Sequence, residues 1–359
     1  SGGLTQSHLR LGDTPIHATY LVSAADFVGC HAPTYVKKYD TTEDLKDGGI
    51  YLLNCSWTPE TLEEHLPAKM KRELSRKRAS FYIIDATKIA QDLGLGGHIN
   101  NILQAAFFQL TKVIPIDLAV EEMKLGNYNS YFKKGGQEIV DLNNRAVDAG
   151  LTGMIRVEIP DSWADAEDEV PAEQAGTPFV KEIVVPMDRQ QGDKLPVSLF
   201  KKHNCLDGTW ENCTTAYSKR GVAVSVPRWN PEACIQCNRC SMVCSHAAIR
   251  PVLLTEEELA QAPDTFAAVP AKGAKLGRYS FRMQVSPFDC LGCGVCLTVC
   301  PAKGALDLVP FATQQEQQAN FDRFAMDESL LKQDAIQDTS VKSVQFAKPY
   351  FQFSSACAG

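Results

Sequence analysis

Eight of the 13 cysteines in this chain of 359 residues lie in two short runs that share one internal spacing, C-x2-C-x2-C-x3-C. They are Cys234, Cys237, Cys240 and Cys244 in the first run, and Cys290, Cys293, Cys296 and Cys300 in the second. Thiolates are soft ligands for zinc and iron. The spacing is typical of chains that hold two 4Fe-4S clusters.

The fourth cysteine of each run is predicted to begin a helix that points away from its own loop, and so to ligate the cluster of the other run. Crossed ligation divides the eight thiolates into two sets of four. The first cluster would take Cys234, Cys237, Cys240 and Cys300, and the second would take Cys290, Cys293, Cys296 and Cys244. Shared ligands hold two clusters close together, which stepwise electron transfer requires, so the sequence predicts an electron-relay module.

Structural zinc is the alternative interpretation of these cysteines. Zinc sites normally use separated pairs of ligands to complete one tetrahedron, and the present spacing fits that pattern poorly.

Gly292 and Gly294 either leave backbone N–H groups free to bond cluster sulfurs or simply allow the loop to turn. Ser245 stands where the second run has Pro301, which puts the solvent shielding near the first run in doubt. His246 either bonds a cluster sulfur or lies at the surface.

The other cysteines have weaker signals. Cys30 and Cys55 fall at or just after candidate strands, where small buried hydrophobic residues are common. Cys205 and Cys213 lie near His203, but a fourth ligand is absent, so we predict no metal site there.

The bulk composition excludes two classes of protein. A net charge of -7 argues against a nucleic-acid surface, and no apolar run approaches the length of a membrane span. The tight cysteine runs indicate metal binding in a reducing cytosol rather than a secreted disulfide framework, which predicts a cytoplasmic protein. The first residues contain neither a starting methionine nor a signal peptide, so we expect a piece of a longer chain.

Short apolar runs in the N-terminal half are predicted to be β-strands. They are 16–22, 27–30, 50–54, 81–85 and 154–159. Helices are predicted between them, among others at 58–65, 98–110 and 116–124. Alternating strands and helices indicate an α/β domain with a mostly parallel sheet. The acidic segment 161–193 is predicted to be a surface crossing or linker.

The sequence resembles a known protein family. The cysteine runs with their flanks, RGVAVSVPRWNPEACIQCNRCSMVCSHAAIRP and SPFDCLGCGVCLTVCP, resemble the ferredoxin-like domain of pyruvate:ferredoxin (flavodoxin) oxidoreductases. The stretches SGGLTQSHLRLG, ADFVGCH, GGIYLLNCSW and LGLGGHINNILQAAFF resemble the gamma domain of that family. The resemblance covers essentially the whole chain and implies four parts: an α/β gamma-type domain at 1–193, an extended linker arm at 194–228, a small α+β ferredoxin-like domain with both clusters at 229–312, and a connector at 313–359.

The resemblance also implies a function. In the family, pyruvate is decarboxylated on thiamine diphosphate and Mg, acetyl passes to coenzyme A, and electrons travel singly through three 4Fe-4S clusters to ferredoxin or flavodoxin. The chain resembles the central, electron-relay part of a homodimeric enzyme and lacks the thiamine diphosphate site. Cys357 would begin the site of the third cluster; an ordinary buried thiol is the alternative. The rival hypothesis is a self-contained two-cluster subunit of another redox complex.

Overall fold

The computed structural model describes residues 4–168, 175–336 and 340–353. The chain divides near residue 174 into two compact units, each of which has its own hydrophobic clusters. None of the helices in these three ranges is long and apolar enough to cross a membrane. Cys357 lies outside the described residues.

The first unit is built on a four-stranded sheet. Its strands are β1 (Ala25–Cys30), β2 (Leu45–Asn54), β3 (Ser80–Ile84) and β4 (Ile155–Val157). The spatial order is β1-β2-β3-β4, with β2 parallel to both β1 and β3, and with β4 antiparallel at the edge. Two of the three pairings are therefore parallel, which confirms the predicted α/β domain with a mostly parallel sheet.

Five helices accompany this sheet. They are α1 (Tyr35–Lys38), α2 (Ala68–Arg76), α3 (Ala86–Asp92), α4 (Asn100–Thr111) and α5 (Ile116–Thr152). Asp85 caps α3, because its side chain accepts a hydrogen bond of 2.9 Å from the Lys88 N–H. The long α5 is broken at Gly136, where φ is +68°. Glycine tolerates this left-handed backbone without steric cost, so the two halves can change direction there.

Both faces of the sheet are buried, as is usual for parallel sheets. On β2, Tyr51 and Leu53 belong to a cluster with Met70 and Leu74 of α2. Leu52, between them, belongs to a second cluster with residues of α3, α4 and α5. The near-continuous apolar sequence of β2 follows from this two-sided burial.

Three predicted elements differ from the structure. Residues 16–22 form no strand, since Tyr20 and Leu21 are exposed and no neighbouring strand pairs with them. The helix predicted at 58–65 is only the short turn Leu62–Glu64. The helix predicted to end at residue 124 continues to Thr152, because packing against α4 sustains it.

The packing of α4 on α5 yields a test at Gly150. A Cβ there would collide with the backbone carbonyl of Ile102 and lie 2.9 Å from the Ala105 Cβ. We expect Gly150→Ala to reduce the free energy of unfolding by about 1–3 kcal/mol, because the two helices would be forced apart. The matched control is Gly126→Ala on the same helix. No atom lies within 4 Å of its added Cβ, so a gain of about 0.5–1 kcal/mol is expected. Thermal denaturation of both variants measures the difference.

The second unit contains two small sheets. Strands β5 (Ser225–Trp229) and β9 (Leu306–Pro310) pair antiparallel, and β6 (Ile249–Leu254), β8 (Ser280–Val285) and β7 (Val269–Pro270) form the other sheet in that order. Its helices are α6 (Val185–Asp188), α7 (Val197–Lys202), α8 (Arg239–Met242), α9 (Glu256–Leu259), α10 (Val295–Thr298), α11 (Gln317–Phe324) and α12 (Val341–Val344). Short helices beside antiparallel sheets confirm the predicted α+β character.

The segment predicted as a linker is in part a small core. Val180–Val184 forms one turn of π-helix that continues into α6. Phe179, Val180 and Ile183 are buried in a cluster with residues of α7. The acidic composition of this stretch masked the spacing of these apolar residues, so for its described part from residue 175 the linker prediction is wrong.

Candidate metal centre

The two cysteine runs fold into loops with the same backbone conformation. In the first loop φ is +60° at Gln236 and +61° at Asn238; at the equivalent positions of the second loop it is +69° at Gly292 and +74° at Gly294. In each loop the N–H two residues after the first cysteine points to that cysteine and donates to its Sγ at 3.4 Å. The loops therefore turn their N–H groups toward sulfur, as ligands of an iron-sulfur cluster require.

The helices that follow the loops are one turn long. The third cysteine of each run lies within its helix, α8 or α10, and the fourth lies two residues beyond the helix end. The expectation that the fourth cysteine begins a helix is therefore wrong in its local detail. The turn of helix between the third and fourth cysteines nevertheless separates Cys244 and Cys300 from their own loops.

One small cavity collects cysteines from both runs. Its lining includes Cys234, Cys237 and Cys240 of the first loop, together with Cys300 of the second. Trp229 of β5 lines the same cavity. These four cysteines are the set that crossed ligation predicts for the first cluster.

The thiols of the second predicted set are also neighbours. Burial raises the pKa of the Cys290 thiol to about 12; the Gly292 N–H lowers it somewhat, and the nearby thiols of Cys244, Cys296 and Cys293 raise it. The pKa of the Cys296 thiol is raised to about 11, first by burial and then by Cys244 and Cys293. The structure thus brings Cys244, from the first run, beside the second loop.

The two sets lie close to each other. Burial raises the pKa of the Cys240 thiol to about 12, and its neighbours include Cys296 of the other set as well as Cys234 and Cys237 of its own. Thiols with such raised pKa values are protonated at neutral pH, so a metal must displace their protons on binding. Proximity of the sets is the geometry that transfer between two clusters needs.

The eight thiols match the donor set of two 4Fe-4S clusters in type and number. Within the three described ranges, no group of three or more His, Cys, Asp or Glu side chains has the arrangement of a single-ion site. A single zinc draws its sulfurs to about 2.3 Å from one centre, whereas each thiolate of a cubane binds a different iron. Trp229 lines the cavity of the first set, and its buried Nε1, like the buried Nε2 of His246, has no hydrogen-bond partner among the described residues.

Comparisons with known proteins agree with this arrangement. Residues 233–304 match the family described as 4Fe-4S dicluster domain, and residues 1–153 match pyruvate ferredoxin/flavodoxin oxidoreductase. Residues 165–223 match a domain of unknown function. A pyruvate-flavodoxin oxidoreductase of Enterobacter agglomerans is 46% identical over 361 residues, and a pyruvate:ferredoxin oxidoreductase of Moorella thermoacetica is 46% identical over 362; both alignments cover 100% of this chain.

Along its whole length the chain is similar to pyruvate:ferredoxin and pyruvate-flavodoxin oxidoreductases. It spans 30% of the length of the two relatives just named. A mitochondrial pyruvate dehydrogenase [NADP(+)] of Euglena gracilis is 40% identical over the whole chain, which spans 20% of that protein. The expected resemblance along the entire chain is confirmed.

Sequence reasoning missed two residues that fix the first cysteine loop. Gln236, which is 1% exposed, donates from Nε2 to the Pro270 carbonyl at 2.9 Å and accepts from the Lys272 N–H at 2.7 Å. Asn238, equally buried, donates to the Lys342 carbonyl at 2.8 Å. Their signal in the sequence is that amide side chains stand where the second loop has glycines.

Gln236→Ala tests this anchoring. The substitution leaves the Lys272 N–H and the Pro270 carbonyl without partners, which should lower the free energy of unfolding by about 1–3 kcal/mol and hasten iron loss to a chelator. Glu232→Ala is the matched control, since the Glu232 side chain is exposed nearby and lies outside the cavity lining. Thermal melts and the rate of iron release measure both effects. Equal behaviour of the two variants would show that the amide bonds contribute nothing.

The remaining candidates do not join a metal site in the described residues. Cys205 packs in the small core around Phe179, and His203 contacts Glu182 at 2.8 Å. Cys213 is exposed. Cys30 and Cys55 are buried in the first unit, where burial raises the pKa of their thiols to about 11 and about 12. Their expected role as buried hydrophobic residues is confirmed.

Proposed function

We propose that this chain is the electron-relay and scaffold portion of a pyruvate oxidoreductase, and that it passes electrons through two 4Fe-4S clusters to ferredoxin or flavodoxin. The observation that carries the proposal is the cavity lined by three cysteines of the first run and Cys300 of the second. The match of residues 233–304 to a 4Fe-4S dicluster domain and the names of the relatives support it. These relatives are named as oxidoreductases rather than as separate electron-transfer subunits, which favours this hypothesis over a self-contained subunit.

We assign the eight thiolates to the clusters in the crossed sets. The first set is Cys234, Cys237, Cys240 and Cys300, and the second is Cys290, Cys293, Cys296 and Cys244. The clusters, when bound, would accept and release one electron at a time. The protein supplies the ligands, the N–H groups at Gln236 and Gly292, and an apolar environment, since Cys234, Cys240 and Cys244 pack against the main core of the second unit.

Solvent access differs between the two sets. Cys293 of the second set is exposed, whereas all four cysteines of the first set are only partly exposed. We place the site of electron exit near Cys293, because transfer to a protein acceptor requires a cluster close to the surface.

The remaining parts of the enzyme would complete the reaction. We assign to them the thiamine diphosphate, Mg and third-cluster sites, with coenzyme A as a further substrate, in a cytoplasmic homodimer. Within this chain we propose four parts: the gamma-type domain at 1–193, the arm at 194–228, the ferredoxin-like domain at 229–312 and the connector at 313–359. Residues 175–193 of the first part belong to the second compact unit of the structure. The part at 194–228 contains α7 and most of β5, so the arm is not entirely extended.

Iron and acid-labile sulfide analysis of the chain, prepared without oxygen, tests the proposal. We expect about eight irons and eight sulfides per chain, and dithionite should produce the electron paramagnetic resonance (EPR) spectrum of two interacting clusters. In the full-length enzyme, pyruvate should reduce ferredoxin or flavodoxin. Zinc in place of iron would refute the proposal that this chain relays electrons.

A further inference from the structure

Two arginines of the second unit are buried without a carboxylate partner. Arg250 on β6 is 6% exposed and Arg282 on β8 is 8% exposed. Neither forms an ion pair with any residue in the described ranges. Burial of an unpaired charge is costly, so a chain that keeps two of them invites a functional explanation.

Neutral acceptors satisfy both guanidinium groups. Arg250 donates to the Ala247 carbonyl at 2.7 Å, to the Gln352 Oε1 at 2.6 Å and to the Ala325 carbonyl at 3.2 Å. Its charge also lies 5.1 Å from the ring centre of Phe321. These contacts keep the guanidinium in place. Among the described residues no carboxylate contacts it, and Asp289 acts on its charge without contact.

Arg282 has an equivalent environment. It donates to the Gln284 Oε1 at 2.6 Å, to the Ala267 carbonyl at 2.7 Å and to the Gln317 Oε1 at 2.7 Å. Burial lowers the pKa of both arginines to about 10, so both side chains remain charged at neutral pH.

Each arginine lies behind a different set of predicted ligands. Arg250 holds the Ala247 carbonyl in the turn after Cys244, where the Ala248 N–H donates to the Cys244 Sγ at 3.4 Å. Arg282 lies 5.8 Å from the ring centre of Trp229, and Trp229 lines the cavity that contains Cys300. Arg250 therefore lies close to the second set. Arg282 lies behind Trp229 on the side of the first set, where the charge of Lys342 also acts on Cys237 and Cys234.

An ion pair also lies next to the second set. Asp289 precedes Cys290 and is buried, but its carboxylate contacts the Lys219 ammonium at 2.7 Å. Arg250 adds a further positive charge on that side, close enough to interact electrostatically with Cys244. A fixed positive charge at low dielectric favours the more negative, reduced state of a cluster.

We propose that the positive charges of Arg250 and Arg282 each raise the reduction potential of one cluster. Arg250 would raise the potential of the cluster bound through Cys244. Arg282 would raise the potential of the cluster beside Trp229. The inference rests on the proposed function, because it requires both clusters. It names the residues that set the potentials along the relay.

The neighbouring glutamines permit a test that preserves shape. Gln352→Glu and Gln317→Glu place a carboxylate at the acceptor of Arg250 and Arg282, respectively, with nearly unchanged volume and the same hydrogen bond. We expect Gln352→Glu to lower one of the two midpoint potentials and Gln317→Glu to lower the other, in a redox titration followed by EPR. The ratio of reduced to oxidised cluster at a fixed potential should fall on the order of tenfold. Gln315→Glu, which adds the same charge on the exposed surface, is the control.

Arg250→Gln and Arg282→Gln form a second pair that should lower the same two potentials, and Arg250→Lys and Arg282→Lys should restore most of the loss. Unchanged potentials in both glutamate variants, with iron content intact, would overturn the inference and leave the relay function standing. Equal potentials in the lysine and glutamine variants would overturn it too, since charge would then not be the cause. A chain without iron would instead refute the proposed function itself.

Discussion

Cys300→Ala should remove the cluster that we assign to the first cysteine run, although Cys300 belongs to the second run. The reason is the cavity in which Cys300 faces the loop of Cys234, Cys237 and Cys240. Loss of one ligand leaves three thiolates for four irons, which normally makes a 4Fe-4S cluster labile. We expect the iron content to fall from about eight to about four per chain.

A comparison of EPR spectra decides the ligation. Under crossed ligation the spectrum of Cys300→Ala matches that of Cys237→Ala, and the spectrum of Cys244→Ala matches that of Cys293→Ala. Cys213→Ala is the control, because that exposed cysteine lies outside both sets, and it should retain both clusters. A spectrum of Cys300→Ala that matched Cys293→Ala would mean that each run binds its own cluster, and would refute the crossed assignment.

The repeated spacing of the cysteines carries most of what could be predicted about this centre. Ligand spacing constrains backbone geometry strongly, because few loops can present three sulfurs to one cubane. Gly292 and Gly294 also signal the left-handed backbone of the second loop directly. Gln236 and Asn238 adopt the same conformation against their intrinsic preference, and only their buried hydrogen bonds explain it. Such long-range contacts have no local sequence signature.

The strands of the first unit could be predicted where both faces are buried or where buried residues recur at a regular spacing, as in β2 and β3. Residues 16–22 have an apolar pattern of the same kind, but no described strand pairs with them. Whether such a run becomes a strand therefore depends on its tertiary contacts. The second half of α5 follows the Gly135-Gly136 pair, which reads locally as a break. Packing of its residues such as Ala146 and Val147 against the first unit's cores overrides that local preference.

The burial of the two arginines could not be predicted from the sequence either. Arg250 interrupts an otherwise apolar run, and Arg282 stands in the alternating sequence SFRMQV, which looks like a strand with one exposed face. In the structure both faces of β6 and β8 are covered, and neutral side chains such as Gln284 and Gln317 solvate the charges. Composition alone does not distinguish a charged side chain exposed to water from a buried one that is hydrogen-bonded by other side chains.

Removal of iron should loosen the second unit and leave the first unit folded. The loops that bear the cysteines contain only the one-turn helices α8 and α10, and Cys234, Cys240 and Cys244 form part of the packing around the Phe281 core. Metal binding and folding are coupled in modules with so little regular structure. The first unit has two clusters of apolar residues around its own sheet and no predicted ligand.

Hydrogen exchange followed by mass spectrometry can measure this separately for each unit. After chelation of iron, we expect amide protection of β6 and β8 to fall at least about a hundredfold, while protection of β2 and β3 stays within about twofold of the holo value. Phe281→Ala in the iron-loaded chain is a useful comparison. It removes a fully buried ring from the same core and should reduce the free energy of unfolding by about 3–5 kcal/mol without removing any ligand. Unchanged protection of β6 and β8 after chelation would mean that the apolar core alone holds the second unit, and the clusters would then contribute electron transfer but not stability.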